Sequence, residues 1–214
     1  PDSNTTPLVN ALAGYYHVKP EQVFVGVGSD DVISMAFMTF FNSEKPILFP
    51  DVTYSFYDVW AELYRIPYKT CALKDDWHID PADYKQPNGG VIFPNPNAPT
   101  GLFEDMSVVE EILQANRDVV VIVDEAYVDF GGESALPLLE KYDNLLVVQT
   151  FSKSRAMAGL RVGFCIGSEK MIRYLNDVKY SFNSYTMNYP AQVLGVEAVR
   201  DDDYFKETTG KIIK

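Results

Sequence analysis

The stretch "TFSKSRAMAGLRVGF" places Lys153 just beyond the apolar run "LLVVQ", with Arg161 following in the same segment. A lysine amine held in a partly desolvated site attacks carbonyl carbons. The hydroxyls of Thr150 and Ser152 and the Arg161 guanidinium are suited to holding a phosphate. Upstream, "VVVIV" runs into Asp124, a carboxylate at the end of a buried strand that calls for a cationic partner. Tyr127 lies one turn further on, where its hydroxyl can donate to a ligand oxygen.

Three other turns carry similar signals. After "VFVGV", Gly28 and Ser29 open a helix starting near Asp30, and free N–H groups with a positive dipole end suit an anion there. In "DVTYSFY", Tyr54 begins the next helix and offers a flat face for stacking. The loop "NPNAPTG", Asn95 to Gly101, is stiffened by prolines and supplied with amides, which exceeds what a connector needs. Lysine for an aldehyde, arginine and hydroxyls for a phosphate and aspartate for a protonated ring nitrogen together describe pyridoxal phosphate. Gly26 and Gly28 also supply the start of a dinucleotide fingerprint, but position 31 is Asp where the third glycine belongs, so that signal is weak.

The elements positioning these groups can be read from periodicity. Seven short runs rich in β-branched residues are expected as strands: Val23–Val27, Pro46–Pro50, Ile66–Cys71, Gly90–Pro94, Val119–Val123, Leu145–Gln149 and Val162–Gly167. Between them "DDVISMAFMTFF", "SFYDVWAELY", "SVVEEILQAN" and "LPLLEKY" show helical spacing, and Ser107 with Glu110 forms a capping-box pattern. The alternation predicts an α/β fold, a three-layer αβα sandwich on a mostly parallel seven-stranded sheet. The connection from "LLVVQ" to "VGFCIG" is too short for a confident parallel crossover. In such sheets ligands sit beyond the carboxyl ends of the strands, which is where the candidate residues fall.

Composition narrows the partners. The 214 residues carry a formal net charge of −12, which works against nucleic acid and anionic membrane surfaces. With 47% hydrophobic residues and no apolar stretch of membrane-spanning length, a soluble folded domain is expected. Cys71 and Cys165 lie far apart and His17 and His78 are isolated, so no metal site is expected and the thiols fit a reducing, cytoplasmic setting. The chain begins at "PDSNTTPLVNALAGYY", already entering a helix, and stops in "FKETTGKIIK"; it is expected to be an internal piece of a longer polypeptide.

"NPNAPTG", "VDEAYVDF" and "TFSKSRAMAGLRVGF" together resemble the fold-type-I pyridoxal-phosphate aminotransferases. "FVGVGSDDVI" and "VTYSFY" are most similar to the histidinol-phosphate aminotransferase group within them. The resemblance implies that residues 1–214 form the cofactor-binding large domain, without the N-terminal arm and C-terminal small domain of that family, and that the intact protein is a homodimer. It implies that Lys153 bonds the cofactor's aldehyde carbon and then moves the substrate proton, that Asp124 keeps the ring nitrogen protonated, and that Tyr127 donates to the ring's phenolic oxygen. Tyr54 would stack on the ring, Gly28 and Ser29 by main-chain N–H with Thr150, Ser152 and Arg161 would hold the phosphate, and Asp30 would belong to the cofactor-binding set. Where the family loop places an asparagine, this chain has Ala98, and Asn97 is expected to substitute. The implied reaction is transamination of L-histidinol phosphate with 2-oxoglutarate. Aromatic aminotransferases and threonine-phosphate decarboxylases are the nearest alternatives, and a non-catalytic nucleotide- or cofactor-binding module the distant one.

Overall fold

A computed structural model describes residues 2–214. The chain runs α1 (Thr6–Tyr16), β1 (Val23–Gly26), α2 (Ser29–Phe40), β2 (Ile47–Pro50), α3 (Tyr57–Leu63), β3 (Tyr68–Cys71), β4 (Gly90–Pro94) and α4 (Met106–Ala115). It continues through β5 (Val121–Asp124), β6 (Leu145–Thr150), β7 (Gly163–Gly167), α5 (Glu169–Phe182), α6 (Tyr189–Arg200) and α7 (Asp202–Ile213). The strands form one seven-stranded sheet in the order β1-β7-β6-β5-β4-β2-β3. Strands β3, β2, β4, β5 and β6 are parallel; β7 runs antiparallel to both β6 and β1. The short link after β6 therefore turns the chain back on itself, because a parallel return needs a longer crossover.

Strand alternation divides the core into two faces. Phe24, Phe49, Ile92, Ile122, Leu146 and Val148 pack with α2, α3 and α5. Val91, Phe93, Val121, Val123 and Val147 face α4, and Val23, Val25, Phe164 and Ile166 face α1 and α6. The result is the αβα sandwich read from the sequence. Both cysteines are buried free thiols, and burial pushes Cys71 up to about 11. His78 is satisfied by Glu104, 3.2 Å from its Nδ1.

Several local expectations are corrected. Asp105, not Ser107, caps α4: its carboxylate accepts the Ser107 N–H at 2.8 Å, since a carboxylate two residues earlier is the better-placed acceptor. "LPLLEKY" is a 3₁₀ segment, Leu136–Glu140, rather than an α-helix; Pro137 near its start leaves too little length for a stable α-turn series. Tyr54 precedes its helix, which starts at Tyr57. Helices α5 and α6 add to the helices expected from the sequence; α5 buries Met171, Ile172, Leu175 and Lys179 on one face, a helical spacing, and α6 follows after the polar and aromatic stretch 183–188.

Candidate active site

The carboxyl ends of β1, β5 and β6 and the amino end of β7 share one edge of the sheet. Gly163 pairs with both Gly26 and Thr150, and Asp124 pairs with Pro94 and Val148. Above this edge lies a cavity of about 130 Å³ lined by Ser29, Asp30, Tyr54, Pro94, Ala98, Asp124, Ala126, Tyr127, Thr150, Ser152, Lys153 and Arg161. A larger open groove, about 810 Å³, lies between α1, β1 and α5 and contains none of these groups.

Two glycines shape the anion side. Gly28 precedes α2 at φ 89°, a left-handed conformation, and a β-carbon there would overlap the Arg161 guanidinium. A β-carbon on Gly163 would overlap the backbone of Gly28 and Ser29. Strand β7 and the α2 N-terminus can therefore approach within backbone contact, which brings Arg161 over the free N–H groups of the first turn. Thr150 Oγ lies 3.0 Å from Ser152 Oγ and accepts the Ser152 N–H at 3.2 Å, so both hydroxyls are held at the rim. Asp30 lines the cavity beside these groups. Its carboxylate accepts from the Tyr54 hydroxyl at 2.9 Å and pairs with Arg161 Nη2 at 3.3 Å, so its side chain orients these two groups rather than meeting an anion itself.

On the opposite wall, Asp124 is buried and forms no ion pair among the described residues. It accepts from the Tyr57 hydroxyl at 2.8 Å and from the Ala126 N–H at 3.2 Å. Burial pushes it up to about 6, with the Tyr57 and Ala126 hydrogen bonds pulling the other way. Burial and the Asp124 charge raise the Tyr57 hydroxyl well above its ordinary range, so it remains a donor. Lys153 Nζ lies 5.0 Å from the centre of the Tyr127 ring. An amine, an unpaired buried carboxylate and an arginine over a helix start thus face one space.

The family profile described as aminotransferase class I and II matches residues 1–214. The chain belongs to that family. It is 53% identical over 213 residues to the histidinol-phosphate aminotransferase of Lactococcus lactis subsp. cremoris (strain SK11), covering 100% of this chain and 60% of that protein. Identity to histidinol-phosphate aminotransferase 1 of Hydrogenovibrio crunogenus (strain DSM 25203 / XCL-2) is 54%, with the same coverage. The solved histidinol-phosphate aminotransferase of Sinorhizobium meliloti, in complex with pyridoxal-5'-phosphate, shares the fold at TM-score 0.89 and 23% identity, over 99% of this chain and 59% of that one. The chain spans about 60% of the length of these curated relatives.

One feature of this aminotransferase-family site departs from the sequence expectation. Asn97 does not reach the cavity: its amide nitrogen donates to Val52 O at 3.0 Å and Thr100 Oγ at 3.1 Å, and Ala98 takes the place at the wall. The amide nitrogen ties this loop to the segment after β2 and to its own Thr100, while Asn97 Oδ1 is buried without a hydrogen-bond partner among the described residues. The Tyr54 ring, which does line the cavity, stacks on Phe56 with centroids 5.7 Å apart.

Residue type and spacing do not mark Tyr57 as the partner of Asp124. Nothing but its spacing of three from Tyr54 set it apart from an ordinary core aromatic. A second polar group lies under the sheet, because the residues after Asp124 and before Thr150 point to the other face. There the buried Glu125 accepts from Ser134 Oγ at 2.7 Å, the Ala135 N–H at 2.6 Å and Gln149 Nε2 at 2.8 Å, and Gln149 Oε1 accepts from the Tyr16 hydroxyl at 2.6 Å. Burial pushes Glu125 up to about 7.

Proposed function

We propose that this chain is the cofactor-binding large domain of a pyridoxal-phosphate-dependent histidinol-phosphate aminotransferase. The observation that carries this reading is Asp124, a buried carboxylate with no cation, facing Lys153 across a cavity whose far wall is an arginine set over a helix N-terminus. The donor set fits the cofactor group by group. Ser29, Thr150, Ser152 and Arg161 would hold its phosphate, with Gly28 giving main-chain access, and Asp124 its protonated ring nitrogen. Tyr127 would hold its phenolic oxygen and Tyr54 would cover its ring, with Asp30 orienting Tyr54 and Arg161. When bound, the cofactor supplies an electron sink for the carbon attached to the substrate amine.

The chain's own residues do the rest. Asp124 keeps the cationic form of the ring favourable, because an unpaired charge in this burial would otherwise be costly. Tyr57 fixes the carboxylate's orientation by a donor that does not titrate near neutrality. The Lys153 amine, freed when the substrate amine replaces it, takes a proton from the substrate carbon and returns it elsewhere as a general base and acid.

The substrate assignment rests on identity of about half the residues with histidinol-phosphate aminotransferases: an L-histidinol phosphate donor and a 2-oxoglutarate acceptor, in histidine biosynthesis. A cytoplasmic homodimer completes the reading, with further substrate contacts on chain outside residues 1–214. No helix among the described residues is long and apolar enough to cross a membrane.

The deciding experiment uses the full-length protein with pyridoxal phosphate, treated with borohydride and mapped by peptide mass. A pyridoxyl group on Lys153, with transamination of histidinol phosphate exceeding that of phenylalanine, is the expected result. Modification without that preference would move the assignment to an aromatic aminotransferase or a phosphothreonine decarboxylase, and absence of modification at Lys153 would remove the enzyme reading.

A further inference from the structure

Lys153 sits in a tight turn whose form is held from outside. The Ala156 N–H donates to Lys153 O at 3.0 Å and the Met157 N–H to Phe151 O at 2.9 Å, and this closure puts Ala156 at φ 53°. A left-handed conformation at a residue with a side chain persists only where its surroundings impose it. Those surroundings are its two predecessors. The buried Ser154 donates its hydroxyl to the Asp129 carboxylate, fastening the turn to the segment after β5 that carries Tyr127. Arg155 reaches away from the cavity. Its guanidinium lies 5.1 Å from the Tyr15 ring of α1, 5.3 Å from Phe151 and 4.3 Å from Phe205 of α7, and Nη1 donates to Ala198 O of α6 at 2.5 Å. One side chain thereby binds three helices to the turn bearing the amine.

We propose that Arg155 is a positioning residue for Lys153: clamped between the rings of α1, the turn and α7, it holds the turn so that the amine meets the cofactor's aldehyde carbon. The proposal rests on the cofactor reading above. The flat delocalised guanidinium is what the site selects, since it can stack on rings and donate in its plane at once, and an ammonium cannot. The bond concerned forms between Lys153 Nζ and the aldehyde carbon with loss of water.

The test uses the full-length protein with Arg155→Met, which keeps the stem's volume, and Arg155→Lys, which keeps the charge. Pyridoxamine phosphate has no aldehyde and reports the phosphate and Asp124 contacts alone; borohydride-fixed pyridoxal phosphate reports Lys153. Both variants are expected to slow fixation at Lys153 on the order of tenfold or more, as small misplacement of a reacting group does. Pyridoxamine phosphate affinity should fall by much less than fixation does, because Arg155 itself touches no phosphate-holding side chain and reaches the cradle only through Phe151, between Thr150 and Ser152. Equal losses in the two measurements would reduce Arg155 to general support, and wild-type fixation in Arg155→Lys would remove the stacking basis; either overturns the proposal. Amide hydrogen exchange, read without cofactor, separates this from the function itself. Faster exchange in Arg155→Met confined to residues 151–157 supports the clamp even if wild-type Lys153 is never modified. Unchanged exchange there overturns the clamp.

Discussion

The Tyr57 hydroxyl donates to Asp124 Oδ2 across 2.8 Å, from the first residue of α3 to the last residue of β5. A core aromatic thus fixes the direction of the carboxylate that the cofactor's ring nitrogen would meet. Both are fully buried, so neither the bond nor its loss can be made good by bulk water. Removing the hydroxyl with Tyr57→Phe should move Asp124 further up from about 6, since the bond favours the ionised form. Pyridoxamine phosphate binding, titrated between about pH 5 and 8, should then weaken about tenfold, with its midpoint displaced to higher pH. An unshifted midpoint would show that Tyr57 only fills space.

Glu125 predicts a pH dependence of stability. Its ordinary value is 4.5 and burial raises it to about 7 in the folded chain. Between these values the folded state holds a proton that the unfolded state has lost, so stability from this group is complete below the lower value and falls as pH rises to the upper one. The loss is on the order of 3 kcal/mol across the window. Urea midpoints of Glu125→Gln should be flatter against pH than those of wild type over that range; parallel curves would mean that another group carries the slope.

Gly163→Ala tests the close approach of β7 to the α2 start. The new methyl would meet the Gly28 and Ser29 backbone, which cannot swing aside as a side chain can. Destabilisation of about 1–3 kcal/mol is expected, together with at least a tenfold loss of pyridoxamine phosphate affinity. Thermal unfolding and the binding titration read the two effects, and wild-type binding would contradict the cradle described here.

Arg161→Ala should reduce the preference for phosphorylated over unphosphorylated pyridoxamine, leaving the share held by Ser29, Thr150 and Ser152. A charge-assisted bond to phosphate is worth about 1.5–3 kcal/mol, or roughly one to two powers of ten in affinity. Comparing the two ligands on wild type and variant isolates that contribution. An undiminished preference would place the phosphate elsewhere.

Much of this was legible in the linear chain. Alternation of β-branched runs with helical spacing determined the seven strands and the α/β class; six of the strands are buried along their length and so read as apolar runs, while the edge strand β3 exposes Tyr68, Lys69 and Thr70. The positions of Asp124 at the end of β5, Lys153 just after β6 and Arg161 just before β7 determined which chemistry was available, since the carboxyl edge of a parallel sheet is where backbone groups and side chains are left free. Other features needed the folded chain. That Tyr57 faces Asp124, that the Asn97 amide nitrogen is taken by Val52 O, and that Arg155 is gripped by Tyr15 and Phe205 depend on the packing of segments distant in sequence. Helix-to-sheet docking and the antiparallel return of β7 set those meetings, and residue type or local spacing carries no record of them. The types of the reacting groups belong to the sequence; their partners were decided by which faces the fold presses together.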